Sequence, residues 1–186
     1  MRQYACQVFG SGVLGSGSSF VRPDGKDGSQ SIHGVGHVWR VGVHARELAE
    51  ALRLPPWERE ALRLAALWHD IGRTCDGRDD FHGAKSAGKV VGLGLHRGVR
   101  TTTLAVALFA VTYHSAPDPV GEEAVEGEDD PDATLRVFRL LKDADGLDRL
   151  RLGEHKLDVR QLRHAESRHR VARARELLRG HCPSHG

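Results

Sequence analysis

The sequence is poor in cysteine. Cys6, Cys75 and Cys182 are far apart, odd in number and without a Cys-x-x-Cys pair. That pattern does not build a disulfide framework and fits a reducing compartment. Aromatic residues are scarce as well, at 5% of the chain. A core must therefore rest on Leu, Val and Ala, which suits helices better than a β-sandwich. Charge of one sign is also lacking, since 27 Lys and Arg nearly balance 25 Asp and Glu. A net charge of +2 creates no global field that calls for nucleic acid. No apolar stretch reaches the length of a membrane span, and no charged start precedes an apolar run as in a signal peptide. The expectation is a soluble, cytoplasmic protein that does not engage a membrane.

Histidine is what the chain has in excess, with twelve in 186 residues. That length suits one globular domain. Gly and Ser dominate residues 10–19, and Pro23-Asp24-Gly25 signals a turn, so residues 1–30 are expected to form a loosely ordered extension. Val38, Val41, Ala45, Leu48, Ala49 and Leu52 recur at helical spacing, which predicts a helix over 33–54, stopped by Pro55-Pro56. Further helices are expected over 57–68, 83–91 and 99–113, from about 133, and over 159–178. Pro117 and Pro119 open what reads as a long acidic loop up to Asp132. With no internal repeat and little strand signal, the fold class is all-α: a single bundle of about six helices over 31–180, followed by a tail over 181–186.

The polar residues that can carry chemistry stand at the ends of these apolar helices. His69-Asp70 closes one, between Ala66-Leu67-Trp68 and Ile71-Gly72-Arg73. His33 and His37 open the first, His82 follows a turn, His114 ends the most apolar helix, and Lys142-Asp143-Ala144-Asp145 lies within another. Burying such groups is costly unless they bind something. Imidazole nitrogen together with carboxylate oxygen suits a divalent ion, and a bundle can gather helix ends around one cavity.

This order resembles the HD-domain superfamily over most of residues 31–179. His37-Val38-Trp39-Arg40-Val41 matches its H-x-x-R-V pattern, His69-Asp70 its namesake pair, and Ala144-Asp145-Gly146-Leu147 its A-D-x-L pattern. The resemblance implies that His37, His69, Asp70 and Asp145 are metal ligands. In the mononuclear branch a Glu follows the paired Asp by three residues; here that residue is Arg73. His69-Asp70-Ile71-Gly72-Arg73 looks more like the H-D-I-G-K of the HD-GYP phosphodiesterases, although the GYP motif is absent. That likeness implies two metals, with Asp70 bridging them and His82 and His114 on the second.

The implied activity is a metal-dependent phosphohydrolase that cleaves a phosphate ester, of a nucleotide or another small phosphorylated metabolite, with a metal-bound hydroxide. The expected cofactors are divalent ions, two of them, drawn from Mn, Fe, Mg, Ni or Co. Asp70 and Arg73 are the expected catalytic residues, Arg73 as a bidentate phosphate clamp. His33, Lys142 and Asp143 are expected to contact substrate or to support the ligands from behind, with Asp148 beside Asp143 in the second of these roles. His44 reads as a satisfied structural histidine, Cys75 as inert, and His96, His155, His164 and His169 as surface residues. Three rivals share the motifs: a mixed-valent di-iron oxygenase, a nuclease acting on single strands, and a non-catalytic metal-bound sensor. The Arg-rich stretch from Arg160 to Arg179 alone speaks for nucleic acid, and it reads first as a solvated helical face. The oligomeric state is open.

Overall fold

The first helix, α1 (Val35–Ala51), buries the apolar stripe that its spacing announces, with Val38, Val41, Ala45, Leu48 and Ala49 all at 3% exposure or less. Arg53 then takes a left-handed backbone (φ 53°) and turns the chain into Pro55. Helix α2 (Pro56–Trp68) carries Pro56 at its start, where a missing N–H costs no helical hydrogen bond. Its Glu58 is buried and accepts two hydrogen bonds from Arg136, which pins the start of α2 to a later helix. Helices α3 (His82–Gly92) and α4 (Thr101–Tyr113) follow, and α4 is apolar around most of its circumference. The short α5 (Asp118–Ala124) leads to α6 (Pro131–Leu147), capped by Asp130, whose side chain accepts from the Ala133 amide at 3.1 Å. The chain closes with α7 (Ala165–Arg168) and α8 (Val171–Arg179).

A computed structural model describes residues 32–180. Helices α1, α2, α4 and α6 pack on one another around a common core, and α3 lies along α4. Phe138, Leu62, Leu141 and Leu48 sit at its centre, each fully buried. Such burial supplies about 1.5–3 kcal/mol per side chain. Among the described residues there is no strand. No helix among them is long and apolar enough to cross a membrane. The expected extension (1–30), the tail (181–186), Cys6 and Cys182 lie outside the described residues.

Two expectations need correction. The acidic stretch after Pro117 is not one loop, because it forms α5 and a 3₁₀ turn over Val125–Gly127. Pro117 caps α5 and Pro119 lies in its first turn, where proline starts a helix rather than breaking one. The helix expected over 159–178 is broken into a 3₁₀ turn (Val159–Gln161), α7 and α8. The break follows from tertiary contacts. Leu162 is drawn into the core at 2% exposure, and the backbone amides of Arg163 and His164 donate to Asp143 rather than to a helix.

Candidate metal centre

The helix ends named from the sequence meet at one end of the bundle. His37 lies in the first turn of α1, His69 caps the end of α2 with Asp70 next to it, His82 opens α3, His114 caps the end of α4, and Asp145 lies in the last turn of α6. His37, His69, Asp70, His82 and His114 are all at 6% exposure or less. Asp145 is about one-third exposed and faces an open cleft.

The Asp70 carboxylate divides this cluster in two. Its Oδ2 lies 3.4 Å from His37 Nε2 and 3.7 Å from His69 Nε2. Its Oδ1 lies 3.2 Å from His82 Nε2 and 3.8 Å from His114 Nε2. Asp145 Oδ1 joins the first side, 3.4 Å from His37 Nε2. Three groups of donor atoms are close enough to share an ion: His33, His37 and Asp70; His37, His69 and Asp145; and Asp70, His82 and His114.

Each of the four histidines is held from behind through Nδ1. Asp148 Oδ2 faces the His37 Nδ1 at 2.7 Å, the Ala66 carbonyl the His69 Nδ1 at 2.9 Å, and the Val111 carbonyl the His114 Nδ1 at 2.7 Å. His82 Nδ1 meets the Asp79 carbonyl. An acceptor at Nδ1 places the proton there and leaves a lone pair on Nε2. The Nε2 atoms then face each other in pairs, at 3.0 Å for His37 and His69 and at 2.8 Å for His82 and His114. Two lone pairs at such distances repel unless a proton or a cation lies between them. A buried divalent ion meets that demand, and the imidazole-carboxylate set suits Mn, Fe, Co, Ni or Zn. The residues present therefore fit a metal.

The charge balance points the same way. Burial pulls His69 down to about 4, so its ring is neutral at physiological pH. Burial raises Asp70 and Asp145, but the surrounding histidines outweigh it. His69, His114, His33 and His37 hold Asp70 well below the carboxylate range, and His37 and His69 bring Asp145 to about 2. Burial lowers His37, but its hydrogen bonds to Asp148 and Asp70 outweigh it and raise it. Ionised carboxylates beside the neutral His69 suit a cation.

Two glycines make the second group possible. A Cβ on Gly72 would lie 2.4 Å from the Ser86 amide nitrogen, and one on Gly83 would lie 2.4 Å from the Thr112 carbonyl oxygen. The start of α3 therefore rests directly on the turn after His69-Asp70 and on the end of α4. This close approach brings His82 to His114.

The other candidates are placed as follows. His33 directs Nδ1 to Asp70 Oδ2 at 2.7 Å and stacks edge-on against His37. Arg73 lines the cleft but is engaged: its Nε donates to Asp70 at 3.0 Å and an Nη to the Gly77 carbonyl. Lys142 is engaged as well, donating to Asp118 at 2.6 Å and to the Ala116 carbonyl, so it braces α5 and is no free charge for a substrate. Asp143 is fully buried and serves Arg163 and His164, with no hydrogen bond to His37, His69, His82 or His114. Asp148 is the carboxylate behind His37, and Arg40 donates to it through Nε and Nη. In the sequence, Arg40 is marked only by its place in the H-x-x-R-V pattern. His44 is not satisfied: it is fully buried and neither ring nitrogen has a hydrogen-bond partner. His155 and His169 are exposed, whereas His96 and His164 are half-buried, and Cys75 is exposed.

The sequence of the chain matches the HD domain family over residues 34–150. The chain belongs to the HD-domain family. The match contains His37, His69, Asp70, His82, His114 and Asp145, and starts one residue after His33. HD domains bind divalent metals and are generally hydrolases. No curated protein and no solved structure matches the chain.

Proposed function

We propose that this HD domain is a dinuclear metal-dependent phosphohydrolase acting on a phosphate ester of a small metabolite or nucleotide. The observation that carries the reading is the division of Asp70, with one oxygen toward His37 and His69 and the other toward His82 and His114. Bound ions would supply a water acidic enough to ionise near neutral pH and positive charge for the phosphoryl oxygens.

The chain's own groups do the rest. Asp70 would serve both metal positions, with His37, His69 and Asp145 holding one ion and His82 and His114 the other. Arg73 stands on the cleft wall with its guanidinium held by Asp70, the Gly77 carbonyl and His82, so it steadies the Asp70 carboxylate rather than serving as a free phosphate clamp. No separate carboxylate base is needed, in keeping with Arg73 at the position where the mononuclear branch carries Glu.

The test is elemental analysis of protein purified without chelators, together with phosphate release from a panel of phosphate esters with added manganese. About two equivalents of metal with phosphate release support the reading. Asp70→Ala is expected to lose both metal and turnover while far-ultraviolet circular dichroism stays helical; retained turnover would rule out the mechanism. Two irons that consume oxygen, without phosphate release, would assign the site to the oxygenase branch instead.

A further inference from the structure

The cleft in front of the donor atoms encloses about 1330 Å³, far more than one phosphoryl group fills. One of its walls is the segment after Asp145: the 3₁₀ turn Asp148–Leu152, the bend at Gly153 and the 3₁₀ turn Glu154–Lys156. Gly153, at φ 123°, folds the second turn back on the first, and Arg149 Nε donates to the Lys156 carbonyl at 3.1 Å. Arg149, Arg151 and Lys156 thus share one wall of the cleft.

These three cations are short of counter-ions. The acids of the same segment are taken: Glu154 is paired with Arg175 and Asp158 with Arg160. Arg149 and Lys156 have no carboxylate partner among the described residues. Arg151 is half-buried and donates to the Ile32 and Asp148 carbonyls, at 2.7 and 3.1 Å, and its nearest carboxylate is that of Asp148, at 3.5 Å. That carboxylate already serves His37 and accepts two hydrogen bonds from Arg40. Opposite walls differ, because Arg73, Arg78, Lys142 and Arg163 each have a carboxylate within 3.1 Å. Metal binding sharpens the imbalance by engaging Asp70 and Asp145, the acids that face this wall.

We infer that Arg149, Arg151 and Lys156 form a second anion-binding subsite, and that the substrate carries a second phosphate or carboxylate besides the phosphoryl group at the metals. The inference rests on the phosphohydrolase reading for the first group only. A charge-assisted contact of this kind is worth roughly tenfold in affinity or more.

Calorimetry on metal-loaded protein tests it, with α,ω-alkylene bisphosphonates of increasing length against the monophosphonate of the same chain at fixed ionic strength. At least one bisphosphonate is expected to bind roughly tenfold tighter than its monophosphonate, and Arg149→Ala/Lys156→Ala to reduce that ratio about tenfold. Both side chains are exposed, so the variant is expected to fold. No preference at any length, or a preference that the double variant keeps because both phosphonates sit on metal, overturns the inference. Phosphate release is scored separately. Turnover without the preference removes the subsite and leaves the activity; the preference without turnover does the reverse.

Discussion

At the scale of single residues, Asp148 and His44 show opposite uses of a buried polar group. Asp148 fixes the His37 ring with its lone pair toward Asp145 and His69, at 2.7 Å to Nδ1. Asp148→Asn would weaken that hold and leave Arg40 without its counter-charge. Removal of such a support commonly costs 10- to 100-fold in metal affinity. Chelator competition is expected to show a loss of about that size for one equivalent of metal, with the other retained. His44 has no such partner, and burial holds its ring near a value of about 4, below the ordinary 6.5. The folded state keeps the ring neutral, while the unfolded chain takes up a proton below about pH 6.5. Stability from this group is therefore complete above that pH and is lost as pH falls toward 4, by up to roughly 3 kcal/mol. Urea melts from neutral to acid pH are expected to show a shallower decline in His44→Leu than in the parent protein. Parallel declines would mean that His44 finds a proton acceptor on folding.

At the scale of elements, the decisive contact is the start of α3 on the end of α4. A methyl group at residue 83 would collide with the Thr112 and Val111 carbonyl oxygens, at 2.4 and 2.6 Å, and backbone cannot rotate aside. Gly83→Ala is expected to cost about 1–3 kcal/mol through overpacking. It should also move His82 away from His114, so that metal content falls toward a single equivalent. Elemental analysis and a thermal melt check both effects. Two retained equivalents with an unchanged melt would show that α3 adjusts without cost. The helices themselves were legible in the sequence: α1, α2 and α4 fall where apolar spacing and Pro55-Pro56 put them. The break between Gln161 and Ala165 was not, because residues 159–178 carry helix formers throughout, and only the pull of Leu162 into the core and of Asp143 on two amides interrupts them.

At the scale of the molecule, the Arg-rich C-terminal segment holds the bundle together. Arg170 and Arg173 both bind Glu47 on α1, and Arg175 binds Glu154. These pairs are partly exposed, so Arg170→Ala/Arg173→Ala is expected to lower stability by about 1 kcal/mol. Binding of single-stranded oligonucleotides is expected to be weak in the parent protein and unchanged in the variant. A steep salt dependence that the variant loses would revive the nuclease reading.

The order of the candidate ligands was determined by the sequence alone, since His37, His69-Asp70 and Asp145 lie in motifs whose residue types and spacing are local properties. His82 and His114 were also legible, as polar residues at the ends of helices, although their joint position depends on the Gly72 and Gly83 contacts. Tertiary structure alone decided which charges are free. Lys142 and Arg73 look available in a linear chain, yet Asp118 and Asp70 engage them across the fold. Arg149 and Lys156 look like ordinary surface residues, yet they stand on the cleft wall without a carboxylate ion pair among the described residues. A side chain's charge is written in its residue type; its counter-ion is chosen by packing between residues distant in sequence.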